Sequence, residues 1–443
     1  MDLSRPESGI IVIGGGLAGA EAAWQAAERG VPVALYEMRP DTQTPAHQTG
    51  LLAELVCSNS LKSDALATAH GVLKAELRRL GSLILRCADE TRVPAGQALA
   101  VDRDRFAEAV TEAIENHPLI QLRRGEVTSL PIDGPTIVAT GPLTSPALAT
   151  AVGELTGDQR LYFYDALSPI VSAESVNMDV AFMASRYGKG EADYINCPMD
   201  PDEYDAFYDE LMSAERTLHA DYDPDEMFEG CLPIEIIAAR GPDAPRFGPM
   251  KPVGLVDPRT DKRPWAVVQL RAENRERTMY NLVGFQTSLK YGEQRRVLRM
   301  IPGLEGAEFL RYGAVHRNTY LDAPSLLLPT WQSRARADLL FAGQLTGVEG
   351  YIESVGSGLI AGVNAARLAT GREPLQLPVE TMMGALAGHI TAPQSGRFQP
   401  MNANFGLLAR VPGVRGGRRR KREAQGQAAL GVMDAYVAAH WRE

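Results

Sequence analysis

The sequence has few cysteines and no long apolar run. Its four cysteines, Cys57, Cys87, Cys197 and Cys231, are far apart, form no CxxC pair and have no histidine at zinc-ligand spacing. Neither a metal site nor a disulfide framework is therefore predicted. No apolar stretch reaches the length of about eighteen residues that a transmembrane helix needs, and the first residues lack the basic-then-apolar pattern of a signal peptide. We expect a cytoplasmic protein with no membrane partner.

An excess of positive charge is also missing. The 443 residues carry 45 Lys and Arg against 55 Asp and Glu, a net charge of −10, which argues against indiscriminate nucleic-acid binding. Any contact with phosphates must use a local basic patch. Residues 410–422, with six arginines and one lysine, are predicted to form a basic loop. This loop is either a solvated surface segment or a phosphate contact through Arg418, Arg419 and Arg420.

What the sequence does contain is a glycine-rich turn between a predicted strand, residues 11–13, and a predicted helix. Gly14 can take a tight turn, Gly16 lets a phosphate approach the backbone, and Gly19 lets the helix pack closely on the strand. The N-terminus of the helix offers unpaired N–H groups and a positive dipole end. The predicted pyrophosphate-binding residues are Gly14, Gly15, Gly16, Leu17, Ala18 and Gly19.

A second predicted strand, residues 33–37, ends in Glu37, at about the distance where dinucleotide folds place an acid that accepts from ribose hydroxyls. The alternative is a glycine-rich turn in an ordinary α/β protein, which leaves Glu37 unexplained. The motif predicts a dinucleotide site but does not decide between NAD and FAD.

Later segments favour FAD. A predicted strand at 136–141 ends in Thr140 and Gly141, and another at 339–343 ends in Gly343. A return to the nucleotide-binding fold after a long insertion is typical of FAD proteins of the glutathione-reductase kind. We predict an α/β fold of this kind, with a Rossmann-type FAD-binding domain and a large inserted α+β domain.

Domain boundaries follow from a change in composition. From about residue 162 the sequence becomes aromatic, acidic and interrupted by proline, and alternation at 265–270 and 280–286 indicates antiparallel strands. The predicted domains are 1–160, the first part of the FAD-binding domain; 161–325, the inserted substrate domain; and 326–443, the second part with the basic loop.

A second glycine pattern, formed by Gly356, Gly358 and Ala361, is predicted to be a turn leading into a helix. No strand ending in an acid follows about twenty residues later, as a second dinucleotide site requires. A nicotinamide that supplies electrons is therefore expected to dock transiently.

Two cysteines lie among small and polar residues. Cys57 follows an irregular loop that includes His47, and Cys231 lies inside the predicted insertion. Cys87 and Cys197 have ordinary surroundings and are expected to be buried apolar side chains. Cys57 and Cys231 are the candidate reactive thiols.

Blocks around these cysteines resemble the folate- and FAD-dependent tRNA uracil-5-methyltransferases, relatives of the flavoproteins that modify the wobble uridine of tRNA. The resemblance spans essentially the whole chain. Its most specific blocks are residues 57–61, 92–96, 100–103, 247–255, 316–320, 347–354 and 398–406.

The resemblance implies methylation of uridine 54 in the T loop of tRNA, with 5,10-methylenetetrahydrofolate as carbon donor and reduced FAD as electron donor. NADPH or NADH would recharge the flavin. Uracil C5 becomes nucleophilic when a thiolate adds at C6, and a second group must then remove the C5 proton. By position in the family motifs, Cys231 corresponds to the nucleophile and Cys57 to the base or flavin-side partner; the reverse assignment stays open.

The resemblance implies further site residues. Gly343, Gly347, Glu349, Gly350 and Tyr351 belong to the implied flavin site, and Tyr351 and His316 are candidates to line a stack of folate on flavin. Lys251 is a candidate cation near a thiol. The alternative for Tyr351 is a packed aromatic ring, that for His316 is a core histidine and that for Lys251 is a surface lysine.

Three other functions are compatible with parts of this pattern. A wobble-uridine modification enzyme is one, although such chains carry a further C-terminal helical region that is not seen in this sequence. A tRNA-binding flavoprotein with structural FAD leaves two thiols in separate blocks unexplained. A small-molecule flavin oxidoreductase leaves the basic segment without a role.

Overall fold

The structure is a computed structural model and describes residues 3–44, 46–157, 161–188, 191–217, 232–394 and 398–441. For residues 161–166 and 316–319 it describes the backbone alone. The strands are β1 (Ile10–Ile13), β2 (Val33–Glu37), β3 (Ser60–Ser63), β4 (Arg92–Val93), β5 (Ala98–Val101), β6 (Ile120–Arg124), β7 (Thr136–Val138), β8 (Leu161–Ala166), β9 (Ile170–Ser172), β10 (Phe182–Ala184), β11 (Tyr194–Met199), β12 (Ala266–Ala272), β13 (Met279–Leu282), β14 (Phe309–Arg311), β15 (Val315–Tyr320) and β16 (Leu339–Phe341).

The helices are α1 (Leu17–Ala27), α2 (Ala69–Arg79), α3 (Leu83–Glu90), α4 (Arg103–Glu115), α5 (Pro146–Thr156), α6 (Pro201–Ser213), α7 (Ile234–Ala238), α8 (Ala244–Phe247), α9 (Tyr291–Leu298), α10 (Ala323–Leu326), α11 (Tyr351–Ala369), α12 (Met382–Thr391) and α13 (Arg418–Tyr436). None of the helices in the described ranges is long and apolar enough to cross a membrane.

A parallel sheet with the order β16-β7-β1-β2-β6 forms the centre of the larger core. Every residue of β1 and β2 is buried, as expected where helices cover both faces of a parallel sheet. β16 pairs in parallel with β7, so the strand at 339–341 joins the sheet built by the N-terminal segment. The predicted strands at 11–13, 33–37, 136–141 and 339–343 are confirmed to within a few residues.

A second sheet, with the order β10-β11-β12-β13-β9-β14, is antiparallel and has its own apolar core. The predicted strands at 265–270 and 280–286 are confirmed as its β12 and β13. The antiparallel pair β8 and β15 lies at the two ends of the segment that contains this sheet. A small sheet of β3, β5 and β4 was not predicted, because its strands are short and partly polar.

The prediction of a glycine-rich turn at 356–362 is wrong. Helix α11 begins at Tyr351, so Gly356, Gly358 and Gly362 lie inside it. A Cβ atom on Gly358 or Gly362 would overlap the backbone of Ala18 or Ala22 in α1. These glycines therefore allow two helices to pack backbone against backbone, and the pattern is not a second phosphate-binding turn.

The prediction of a basic loop is wrong for residues 418–422, which form the first turns of α13. Arg and Lys are good helix formers, and the helix continues to Ala429 and Met433, which are buried in the larger core. Arg418, Arg419 and Arg420 are exposed. Only residues 410–417 of this stretch lack regular structure.

Candidate active site

A cleft lies where the parallel strands end. This edge is the usual ligand site of open α/β sheets. The predicted cofactor-binding residues that line the cleft are Gly14, Gly16, Leu17, Ala18, Glu37, Thr140, Gly141, Gly343 and Tyr351. Those that lie outside its lining are Gly15, Gly19, Gly347, Glu349 and Gly350.

The glycines of the first turn differ in their surroundings. Gly14 has a φ of +103°, and a Cβ atom there would lie 2.6 Å from the Ala139 carbonyl oxygen. A Cβ on Gly19 would overlap the Gly14 carbonyl oxygen, whereas one on Gly16 would have nothing within 4 Å. The turn and the close helix packing are thus as expected from the sequence, and the space at Gly16 opens toward the cleft.

Glu37 is held at the end of β2 by two groups. Its Oε2 accepts a hydrogen bond of 2.7 Å from the Gly15 N–H, and its Oε1 accepts bonds of 2.9 and 3.0 Å from the side chain and backbone of Arg39. Burial acts to raise the pKa of Glu37, but the charge and hydrogen bonds of Arg39 outweigh it and lower the pKa. A charged carboxylate therefore faces the cleft and also fixes the glycine turn.

Arg39 organises the loop that follows β2. It is almost fully buried and forms ion pairs with Glu37 at 2.9 Å and Glu54 at 3.1 Å. Glu54 in turn accepts a bond of 3.0 Å from the Thr49 N–H. Arg39, Glu54 and His47 all line the cleft, and of these the sequence analysis named only His47, as part of the loop. The available signal in the sequence was an arginine two residues after Glu37, the acid predicted to contact a ribose.

The segment 347–350 lies in the chain between Gln344 and Tyr351, which both line the cleft. A Cβ atom on Gly347, which has a φ of +84°, would overlap the ring of Phe398. The Glu349 N–H donates to the Met401 carbonyl oxygen at 2.9 Å, and the Met401 N–H donates back to Gly347 at the same distance. The blocks 347–354 and 398–406 are therefore neighbours in space, although they lie apart in the sequence.

Cys57 lies on a loop beside the cleft. The Tyr351 hydroxyl, at the start of α11, accepts hydrogen bonds from the backbone N–H groups of Cys57 at 2.8 Å and Ser58 at 3.1 Å. The side chain of Cys57 is half-buried, and its neighbour Val56 lines the cleft. The structure thus brings together two of the predicted site residues, Cys57 and Tyr351.

Two arginines donate hydrogen bonds to backbone carbonyl groups of the loop that carries Cys57. Arg103 donates to the Leu55 carbonyl oxygen and forms an ion pair of 2.7 Å with Glu273. Arg311 donates from Nη1 to the Val56 carbonyl oxygen at 3.2 Å, while its buried Nε and Nη2 have no acceptor in the described part of the chain. Burial, followed by the charge of Arg103, lowers the pKa of Arg311 to about 10.

The loop is also tied to the antiparallel sheet. The Asn59 side chain donates to the Ala272 carbonyl oxygen at 2.9 Å, and Arg271 donates to Asn59 Oδ1 at 2.9 Å and to Ser58 Oγ at 2.7 Å. Cys57 therefore lies where the two sheets meet. Sequence reasoning missed Arg103, Arg271 and Arg311 because their partners are far away along the chain.

Other predicted site residues are not brought to the cleft, or are not described. Cys231 lies outside the described residues, and His316 is described only as backbone of β15, paired with Asp165. Lys251 is half-buried in a turn and does not line the cleft. The described residues contain no group of three or more His, Cys, Asp or Glu side chains that could hold a metal ion.

The remaining cysteines are buried, as expected. Cys87 lies in α3 and Cys197 in β11. Burial raises the pKa of Cys87 to about 11 and that of Cys197 to about 12. Both side chains therefore stay as protonated, unreactive thiols at neutral pH.

Comparison with known proteins adds the following. The family model described as "Glucose inhibited division protein A" matches residues 9–373. The chain is 57% identical over 429 residues to "Methylenetetrahydrofolate--tRNA-(uracil-5-)-methyltransferase TrmFO" of Heliobacterium modesticaldum, covering 97% of this chain and 98% of the relative. The protein of the same name from Enterococcus faecalis is 55% identical, with 96% and 97% covered.

Among solved structures, Aquifex aeolicus GidA in its form II crystal matches with a TM-score of 0.70 and 18% sequence identity, covering 96% of this chain and 73% of that one. At this identity the likeness concerns the fold alone. It agrees with a parallel sheet that is interrupted by a second, antiparallel sheet.

Proposed function

Because the chain belongs to the TrmFO family of folate-dependent tRNA (uracil-5-)-methyltransferases, a branch of the GidA flavoproteins, we propose that it methylates C5 of uridine 54 in the T loop of tRNA. The carbon donor in this proposal is 5,10-methylenetetrahydrofolate, and NADPH or NADH supplies the electrons. The observation that carries the proposal is the Cys57 loop, held beside the dinucleotide cleft by Tyr351.

The residues of the cleft fit FAD. The space beyond Gly16, the helix N-terminus at Leu17 and the carboxylate of Glu37 suit a pyrophosphate and a ribose. Bound FAD supplies the electrons that reduce the transferred carbon to a methyl group. We assign residues 1–160 and 326–443 to the FAD-binding domain and 161–325 to the inserted domain, because β16 pairs with β7.

Two thiols carry out the covalent chemistry in this proposal. The Cys231 thiolate adds to uracil C6, and the electron pair of the C5–C6 bond moves to the C4 oxygen as an enolate. C5 then forms a bond to the methylene carbon of the folate, and one of the two C–N bonds to that carbon breaks with its electron pair staying on nitrogen. Cys57 removes the proton from C5, and the electron pair of that C–H bond forms a double bond to the methylene carbon as the second C–N bond breaks and tetrahydrofolate leaves. Once this carbon has accepted a hydride equivalent, which bound reduced FAD would supply, the electron pair of that double bond re-forms C5=C6 through the enolate and the Cys231 sulfur leaves as thiolate.

Arg311 supports the negative charge that this chemistry creates. Burial of the Arg311 guanidinium, two of whose nitrogens have no acceptor among the described residues, costs free energy of folding. The guanidinium also interacts electrostatically with Cys57. A uracil oxygen beside the Cys57 loop would accept from these N–H groups. We assign Arg311 the role of a donor to the enolate oxygen.

The start of α13 suits a phosphate backbone. Arg418 to Arg422 place five consecutive cations at the positive end of the helix dipole, with no acidic residue in the first turn and no side-chain cap at Gly417. Cations at this end destabilise a helix by about 0.3–1 kcal/mol each. The helix dipole therefore does not account for these cations, although Arg419 also forms an exposed ion pair of 2.9 Å with Glu423 one turn along the helix. We assign Arg418, Arg419 and Arg420 to contacts with tRNA.

Three residues remain proposed ligand contacts from the sequence motifs. We assign His316 and the ring of Tyr351 to the folate, and Lys251 to the substrate, as a cation near a thiol. Tyr351 lines the cleft, so its ring can meet a ligand there while its hydroxyl holds the Cys57 loop.

One assay tests the activity. The purified protein should be yellow and, with methylenetetrahydrofolate and NADPH, should convert uridine 54 of an unmodified tRNA transcript to ribothymidine. Absence of methyl transfer, or transfer supported equally by S-adenosylmethionine alone, would contradict the proposal. Modified wobble uridine instead of uridine 54 would point to the related class of enzymes.

A second assay separates the two thiols. Cys231→Ala should lose the covalent adduct with tRNA that contains 5-fluorouridine, whereas Cys57→Ala should keep it. Cys87→Ala is the matched control, because this thiol is buried in α3 away from the cleft. Loss of the adduct in Cys57→Ala alone would reverse the assignment.

A further inference from the structure

Helices α2 and α13 run parallel and begin at the same edge of their interface. A Cβ atom on Gly426 in α13 would lie 2.7 Å from Cγ2 of Val72 in α2. Farther along both helices, Arg79 forms an ion pair of 2.6 Å with Asp434. The basic residues 418–422 at the start of α13 therefore lie at the same edge as the first turn of α2.

Lys62 brings a further cation to this edge. His70, in the first turn of α2, has its Nε2 at 3.1 Å from Lys62 Nζ and at 3.3 Å from Glu353 Oε1. Apart from His70, the described residues offer the Lys62 ammonium group no hydrogen-bond or ion-pair partner. The side chain of Glu353 is only 1% exposed, whereas Lys62 is exposed. The surface therefore presents the positive charge to solvent and keeps the negative charge inside the protein.

The acidic groups closest along the chain to these cations are already paired. Asp64 and Asp89 share Arg78 and Arg92, with ion pairs of 2.6 to 3.0 Å. The carboxylate in the first two turns of α13 is paired with Arg419. The exposed cations at this edge that form no ion pair with the described residues are Lys62, Arg418, Arg420 and Lys421.

The backbone at Lys62 has a left-handed conformation, with a φ of +61°, which glycine adopts readily and other residues rarely do. The buried ammonium group of Lys74 holds this bend, because it donates to the carbonyl oxygens of Leu61 at 2.7 Å and Ser63 at 2.8 Å. The bend and the contact with His70 fix the position of the Lys62 ammonium group. A fixed cation loses less conformational entropy when it binds an anion.

Arg422 lies on the other side of this surface. Its guanidinium group is 5.5 Å from the ring centroid of Phe405, and it forms no ion pair with the described residues. Stacking on a ring orients the planar guanidinium, whose paired N–H groups match the oxygens of a phosphate. Ala403, two residues before Phe405, donates its N–H to Glu353 Oε1 at 3.0 Å. Arg422 is therefore connected to the Lys62 site through one short segment of chain.

We propose that Lys62 and Arg422 bind phosphates of the tRNA backbone, between the exposed cations at residues 418–421 and the target uridine at Cys57. This inference rests on the proposed methylation of tRNA and adds the path that the RNA follows to the active site. The five residues from Cys57 to Lys62 span at most about 18 Å, so RNA bound at Lys62 is within reach of the Cys57 loop. A row of cations without acidic partners is the feature that a phosphate backbone requires of a protein whose net charge is −10.

Filter binding of unmodified tRNA to the flavin-loaded enzyme, at four or more salt concentrations, tests the inference. Lys62→Gln should weaken binding and lower the slope of log K against log salt by about 0.7–0.9, the contribution of one phosphate contact. The double variant with Arg422→Gln should lower the slope by about 1.4–1.8, and Lys62→Arg should keep it. Arg334→Gln is the matched control, because Arg334 is exposed but lies between α10 and β16, outside this surface.

Lys62→Gly separates the charge from the backbone conformation. Glycine removes the cation but accepts a φ of +61° without strain, so this variant should melt no lower than Lys62→Gln and should bind tRNA as weakly. If both variants keep their flavin and bind tRNA with the affinity and slope of the wild type, the inference is overturned. If the slope depends on Lys62 but the wild type does not methylate uridine 54, the inference stands and the proposed methyl transfer fails. A wild-type protein that binds no tRNA would overturn both.

Discussion

Tyr351 fixes Cys57 through its hydroxyl group, which accepts the backbone N–H groups of Cys57 and Ser58 at 2.8 and 3.1 Å. Burial, followed by the proximity of Cys57, raises the pKa of Tyr351, so the hydroxyl stays protonated at neutral pH. One residue at the start of α11 therefore connects the helix that borders the cleft with the loop that carries a proposed catalytic thiol.

Tyr351→Phe should reduce methylation without releasing the flavin. The ring remains in place, but two backbone N–H groups lose their acceptor, at a cost of about 1–3 kcal/mol. We expect kcat to fall by about tenfold or more, with the flavin content and the KM for tRNA nearly unchanged. Tyr436→Phe is the matched control, because the buried Tyr436 hydroxyl has no hydrogen-bond partner among the residues that the structure describes. Equal kcat in both variants would contradict the role of Tyr351.

Arg311→Gln should slow methyl transfer while leaving reduction of the flavin by NADPH unchanged. The substitution removes the positive charge beside Cys57 and the two nitrogen donors that have no acceptor in the described part of the chain. We expect a loss of about tenfold or more in kcat, as for other donors to a developing oxyanion. Arg311→Lys should restore part of it.

Arg299→Gln serves as the control for Arg311, because the hydrogen bonds that Arg299 makes to the described residues all go to the Ala307 carbonyl oxygen, within the inserted segment. Stopped-flow measurement of flavin reduction and single-turnover methylation separate the two steps. A parallel loss of both would indicate that Arg311 supports the fold rather than the chemistry.

The sequence predicted the parts of the fold that follow local rules. The turn at Gly14 needs a positive φ, and Glu37 ends a strand whose preceding residues are Val, Ala, Leu and Tyr, so both can be identified within a few residues of chain. The start of α11 could not, because Gly356, Gly358 and Gly362 resemble a turn until α1 is packed against them. The structural role of these three glycines depends on α1, which is more than 300 residues away along the chain.

The candidate site was predictable to a similar extent. Cys57 and Tyr351 belong to blocks with a recognisable family pattern, but their hydrogen bond joins residues 294 positions apart. Arg311 contacts Val56 across 255 positions, and nothing in the residues around it marks it as buried. Contacts of this kind depend on how the two sheets are placed together.

Neutralising Arg418, Arg419 and Arg420 with glutamine should weaken tRNA binding and reduce its salt dependence. Each phosphate contact contributes about 0.7–0.9 to the slope of log K against log salt, so the slope should fall by up to about 2–3. The flavin spectrum should not change, because these side chains are exposed on α13. The measurement is tRNA affinity at four or more salt concentrations.

Arg334→Gln is the control for the α13 variant, because Arg334 is also exposed but lies outside the basic cluster. This variant should change the slope of log K against log salt by no more than about 0.7–0.9, the contribution of one phosphate contact. Its tRNA affinity should change by no more than the loss of one such contact. An unchanged slope in the triple variant would show that residues 418–420 are a solvated surface segment and do not contact tRNA phosphates.

Glu76 should make stability depend on pH. It is fully buried in α2, and its two carboxylate oxygens accept from the backbone N–H groups of Met382 at 2.7 Å and Met383 at 3.0 Å, at the start of α12. Burial raises the pKa of Glu76 to about 8, against the smaller opposing effects of these bonds and of Arg79. The folded protein therefore holds this proton more tightly than the unfolded chain does.

It follows that the stabilisation is complete below about pH 4.5, the pKa of an exposed Glu, and is lost as the pH rises to about 8. One proton gives a slope of at most about 1.4 kcal/mol per pH unit. Glu76→Gln keeps a neutral side chain of the same size, so the melting temperature of the wild type should fall relative to this variant between pH 5 and pH 8. Glu108→Gln, on the exposed face of α4, should follow the wild type over the same range. If the melting temperatures of Glu76→Gln and the wild type instead change in parallel between pH 5 and pH 8, Glu76 is ionised in the folded protein over this whole range. The N–H groups of α12 would then be sufficient to stabilise its charge.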